Sequence, residues 1–95
     1  MGTSGESDYK TMLKLQYFAS IREQLNKSEE AVVLPEKVND VSDLIEYMKN
    51  NDSDFNKLFE KEHKVLVAVN QTMVNKSFIL TKGDEVAFFP PMTGG

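Results

Sequence analysis

Asp40-Val41-Ser42-Asp43-Leu44-Ile45-Glu46-Tyr47-Met48 carries its apolar side chains at Val41, Leu44, Ile45 and Met48, the i, i+3, i+4, i+7 spacing of one helical stripe. Ser42, Asp43, Glu46 and Lys49 fall on the far side. Asp40 stands where an N-cap belongs, and Asp43, three residues on, adds negative charge near the positive helix end. Asn50, Asn51 and Asp52 close the helix, and Phe55, Leu58 and Phe59 fit one further helical turn packed beneath. A helix with a single stripe buries one side only, so the flanking sequence must supply a surface for it to lie on.

Upstream, Leu13, Leu15 and Tyr17 alternate with Lys14, Gln16 and Phe18, the period of a half-buried strand. Phe18, Ile21 and Leu25 then recur at i, i+3 and i+7, which predicts a short helix through Ala19 to Leu25. Ala31 to Leu34 is β-branched and apolar up to Pro35, a natural antiparallel partner for the first strand. Downstream, Val65 to Val69 is apolar on both faces, as in a central strand with neighbours on both edges. Asn70, Gln71 and Thr72 make a tight turn, since Asn tolerates the left-handed conformation a hairpin demands. Met73-Val74 and Ile79-Leu80 are short strand pieces, Lys82-Gly83-Asp84 turns again, and Glu85 to Phe89 is the last strand. Two strands, one main helix and further strands describe an α+β chain of the β-grasp, or ubiquitin-like, class, with a mixed sheet packed on the helix.

Ninety-five residues make one domain. We expect a disordered N-terminal extension at residues 1–11, native or left from cloning, a folded domain at 12–89, and a projecting flexible tail at 90–95. With 40 % apolar and 27 % charged residues and no cysteine, the chain reads as a globular cytoplasmic protein without disulfides or thiolate metal sites. It holds no membrane-length apolar run. A net charge of -4 gives a phosphate backbone nothing to neutralise it, so neither membrane nor nucleic acid is an expected partner.

Little in the body of the domain resembles an active site. His63 stands alone in a charged stretch, without a second His or Cys to complete a ligand set, and reads as a solvated residue. Neighbouring carboxylates such as Glu29 and Glu30, or Asp52 and Asp54, lie in polar segments. No phosphate-binding glycine loop occurs, and no metal or bound cofactor is expected.

The segment from Val86 to Gly95 is different, because none of its ten residues carries a charged side chain. Pro90 and Pro91 cannot continue a ladder and favour extended geometry, so the tail should leave the sheet there. Six extended residues reach roughly 20 Å, enough to thread a terminus into another protein. Gly94 and Gly95 have no Cβ and fit a narrow channel. Of Phe88 and Phe89, period two puts one in the core and leaves the other to meet a partner.

Leu15-Gln16-Tyr17-Phe18-Ala19-Ser20-Ile21-Arg22-Glu23, the hairpin Val67-Ala68-Val69-Asn70-Gln71 and the ending Gly83-Asp84-Glu85-Val86-Ala87-Phe88-Phe89-Pro90-Pro91-Met92-Thr93-Gly94-Gly95 resemble the small subunits of molybdopterin synthase, over Met12 to Gly95. The resemblance implies a sulfur carrier, not an enzyme on its own. An adenylating enzyme of the ubiquitin-activating type uses ATP to activate the Gly95 carboxylate, which becomes a thiocarboxylate. Phe88, Phe89, Pro90, Pro91, Met92, Thr93 and Gly94 then deliver it into the large synthase subunit, in a heterotetramer, where its sulfur attacks a pyranopterin precursor. Two neighbouring readings share the fold and the activation step: a thiamine-pathway sulfur carrier, and a ubiquitin-like modifier whose Gly95 becomes an amide on target lysines. A plain interaction domain is a third. The Phe-Phe-Pro-Pro segment and the chain length favour molybdopterin.

Overall fold

The computed structural model describes residues 11–61 and 64–91. The expectations for residues 1–10, for His63 and for Met92, Thr93, Gly94 and Gly95 lie outside the described residues. Strand β1 (Met12–Tyr17) leads into helix α1 (Ala19–Leu25), and β2 (Glu29–Val33) returns antiparallel to β1. Helices α2 (Val41–Asn51) and α3 (Ser53–Lys61) follow, then β3 (Leu66–Val69), β4 (Thr72–Val74) and β5 (Glu85–Phe89). The sheet order is β2-β1-β5-β3-β4, with β1 and β5 parallel and the other neighbours antiparallel.

Local chemistry explains the boundaries. Asp40 accepts from Asp43 N–H at 2.8 Å while the Asp43 carboxylate accepts from Asp40 N–H at 3.3 Å, a reciprocal capping box at the start of α2. Asp52 ends α2 and then accepts from Asp54 and Phe55 N–H, which starts α3 at once. The sequence pattern indicated a single turn here, and the structure has nine helical residues, because this side-chain cap renews the helix after its break. Asn70 and Gln71, at φ 51° and 69°, form a two-residue hairpin whose left-handed angles match the twist of β3 and β4. Gly83 takes φ 90° in the turn into β5.

Helices α1, α2 and α3 pack their buried side chains on one face of the sheet. Leu13, Leu15 and Tyr17 of β1, Val67 and Val69 of β3, and Val86 and Phe88 of β5 form its floor. Ile21, Val41, Leu44, Ile45, Met48, Phe55 and Leu58 close over it. Each such large side chain contributes about 1.5–3 kcal/mol when fully buried. β3 has neighbours on both edges, β5 and β4, as its apolar faces predict, and the parallel β1–β5 pairing places the last strand between β1 and β3, at the middle of the sheet. One expectation needs correction. Ile79 forms only an isolated bridge with Asp40 and no strand, since the neighbouring loop is spent on the start of α2, whose Val41 and Ser42 N–H groups donate to Phe78 and Lys76 carbonyls.

Candidate functional site at the root of the C-terminal tail

The central position of β5 fixes the residues that precede the C-terminal segment. Tyr17 lies opposite Phe88 on one side and Val67 opposite Phe88 on the other, so the strand is held on both edges to that residue. Phe18 N–H donates to the Phe88 carbonyl at 3.1 Å, and Leu66 pairs with Phe89. Pro90, with no N–H to offer, follows directly. The root of the tail is therefore a fixed point at Phe88-Phe89.

Phe88 is fully buried. Its ring stacks on Tyr17 at 5.8 Å and meets Phe55 edge-on at 5.6 Å, so it is core and presents no surface to a partner. Phe89, Pro90 and Pro91 are half-buried. Phe89 lies on the outer face, and the pairings Leu66–Phe89, Ala68–Ala87 and Ala68–Met73 put five apolar residues together there, on the face opposite α1, α2 and α3. Met73 is 54 % exposed.

Phe18 belongs with this surface. The 3.6-residue spacing placed it on the α1 stripe with Ile21 and Leu25, yet it is 46 % exposed while those two are buried. Its backbone is extended, which continues the alternation of β1 and turns it away from Tyr17. Period two along β1 accounts for this, since it puts Phe18 on the face of Lys14 and Gln16. Leu66 and Met73 carry no such signal, since only the strand order sets Leu66 beside Phe89 and Met73 one strand further out.

A polar clasp supports the root from beneath. Tyr17 Oη donates to Glu30 Oε2, Lys27 Nζ donates to Glu30 Oε1 at 3.2 Å, and Lys27 also lies 3.5 Å from Asp52 Oδ2. Burial, then the Glu30 hydrogen bond and charge, pushes the Tyr17 phenol far above its ordinary range. Partial burial works against the Lys27 charge, but Glu30 and Asp52 outweigh it and hold the ammonium above its usual pKa. Lys27 thus links β2 to the α2–α3 junction, and Tyr17 links both to Phe88.

The described residues hold no group of three His, Asp or Glu side chains placed to bind a metal, and no helix long and apolar enough to cross a membrane. What they present is an apolar sheet face around Phe89, the last residue of β5.

Comparison with known proteins follows the same lines. The ThiS family pattern matches residues 15–95. The molybdopterin synthase sulfur carrier subunit of Escherichia coli is 43 % identical over 86 residues, 88 % of this chain and 100 % of that protein. Small archaeal modifier protein 1 of H. volcanii superposes with a TM-score of 0.70 at 18 % identity, covering 86 % of this chain and 99 % of the other. A chain in the complex of subunits 1 and 2 of the molybdopterin-converting factor from Helicobacter pylori gives 0.59 at 20 %, covering 88 % and 99 %. These last two likenesses speak for the fold alone.

Proposed function

The chain belongs to the ThiS family, and we propose that it is the sulfur carrier subunit of a molybdopterin synthase. The observation that carries the proposal is the fixed tail root: β5 is held to Phe88-Phe89, and an uncharged six-residue segment ending in Gly94-Gly95 follows. A strand end held on both edges sets how far a terminal group six residues on can reach, which is how positioning supplies rate.

The chemistry takes place at the Gly95 carboxylate. On an adenylating partner, a carboxylate oxygen attacks the α-phosphate of ATP, pyrophosphate leaves, and an acyl-adenylate forms. A sulfide-equivalent donor then displaces AMP and leaves a thiocarboxylate. In the large synthase subunit that sulfur is the nucleophile toward a pyranopterin precursor. This chain's own residues bind and orient: Phe89, Pro90, Pro91, Met92 and Thr93 form the contact and the reach, and Gly94 passes a narrow channel. Phe88 contributes by anchoring the strand. The reaction runs in the cytoplasm, and the carrier holds no cofactor of its own.

The identity with the Escherichia coli carrier supports molybdopterin over thiamine synthesis. The intact mass of the protein isolated from cells with the pathway running tests the carrier reading. Exchange of one oxygen for sulfur is expected. A purely unmodified chain together with Gly95-linked lysine conjugates would instead favour a protein modifier.

A further inference from the structure

The backbone of Ala19 does not suit its residue type. Its φ is 55°, in the left-handed region where the alanine Cβ crowds the following carbonyl and which glycine or asparagine occupies more readily. Phe18 before it is extended, at φ -125° and ψ 154°, and so faces the outer side of the sheet. Two residues after Ala19, the chain is in a helix that buries Ile21 and Leu25 on the inner side. The reversal from one face to the other is made at Ala19. Hydrogen bonds fix the corner: Ile21 and Arg22 N–H donate to the Phe18 carbonyl at 3.1 and 3.3 Å, and Phe18 N–H donates to Phe88.

Two unfavourable features therefore coincide, a left-handed alanine and a phenylalanine left 46 % exposed. Their spacing would allow Phe18 to join Ile21 and Leu25 on one stripe, with neither feature present. Both stand beside the root of the tail, and backbone strain kept at such a place is a mark of a functional conformation.

We infer that Ala19 is a positioning residue: its left-handed backbone holds Phe18 on the outer face beside the tail root, so that Phe18 and Phe89 together grip the subunit that takes up the tail. The inference rests on the carrier reading above. It calls for a partner with an apolar seat for two aromatic side chains at the mouth of the tail channel.

The test is a series at position 19 in the full 95-residue chain. It measures melting temperature, solvent exposure of a fluorinated phenylalanine placed at 18, and affinity for the large synthase subunit. Ala19→Gly and Ala19→Asn suit a left-handed backbone and should melt no lower than wild type and bind within about twofold of it. Ala19→Val disfavours that backbone, and should reduce the exposure of residue 18 and weaken binding about tenfold or more. If Ala19→Val does not fold, Phe18→Ala takes its place, with unchanged melting and the same loss of affinity expected.

Lowered melting of the Gly and Asn variants, as at an ordinary helical position, overturns the inference. So does full affinity in Ala19→Val or Phe18→Ala. A wild-type chain that fails to bind the large subunit refutes the carrier reading and the grip with it, whereas melting and fluorine exposure report on Ala19 alone.

Discussion

Phe88 and Phe89 share a peptide bond and face opposite ways, the first fully buried against Tyr17 and Phe55 and the second on the outer face beside Leu66. Replacing each by Asp separates folding from docking. Phe88→Asp puts a carboxylate into the core and is expected to abolish cooperative unfolding. Phe89→Asp should change stability by no more than about 1 kcal/mol while weakening the complexes with both the adenylating enzyme and the large subunit. Equal effects of the two on stability would mean that the outer surface is misassigned.

Leu44 is fully buried at the middle of the α2 stripe. Leu44→Ala is expected to cost about 2–5 kcal/mol, the range for a large-to-small change in a packed core. Denaturant unfolding measures it, and a loss below half of the lower figure would place the stripe outside the core.

The capping box gives a second stability test. Asp40→Ala removes the acceptor for Asp43 N–H and should cost about 0.5–2 kcal/mol, whereas Asp40→Asn keeps an acceptor and should lose only part of that. Circular dichroism melts of the two variants side by side check the order.

Tyr17 supplies a pH dependence. Burial raises its phenol pKa in the folded protein above that of the unfolded chain, which is about 10. A group raised on folding contributes stability that is whole below the unfolded value and is lost as the pH climbs toward the folded one. Stability should therefore fall above about pH 10. Tyr17→Phe should lack that component, and its phenolate absorbance titration should superimpose on the wild-type curve until unfolding begins. A native titration with one fewer tyrosine in the variant would contradict the buried hydroxyl.

The terminus is tested by length. Deleting Gly95 draws the carboxylate back by roughly 3.5 Å, and appending one residue advances it as far. Both should abolish transfer in a reconstituted assay with adenylating enzyme, ATP, a sulfur donor, large subunit and pterin precursor, since about 1 Å of misplacement can cost roughly a hundredfold. Wild-type transfer by the shortened chain would exclude Gly95 as the reacting residue.

The chain's own pattern determined the elements because their signals are local. The Val41-Leu44-Ile45-Met48 stripe, the Asp40 cap, the alternation of Leu13, Leu15 and Tyr17, and the Asn70-Gln71 turn all depend on neighbours within a few residues, and all recur in the structure. The uncharged ending from Val86 marked the candidate site for the same reason. Tertiary structure alone decided which strand is in the middle of the sheet and what surrounds Phe88 and Phe89. Period two says that Phe88 and Phe89 part ways but not which one goes in, and that choice follows from pairing with Tyr17 and Val67. Leu66 comes beside Phe89, and Met73 one strand beyond it, only through the β5-β3-β4 order. Phe18 satisfied both a strand and a helix period, and the one-residue corner at Ala19, held by a hydrogen bond to a residue seventy positions away, settled it for the strand.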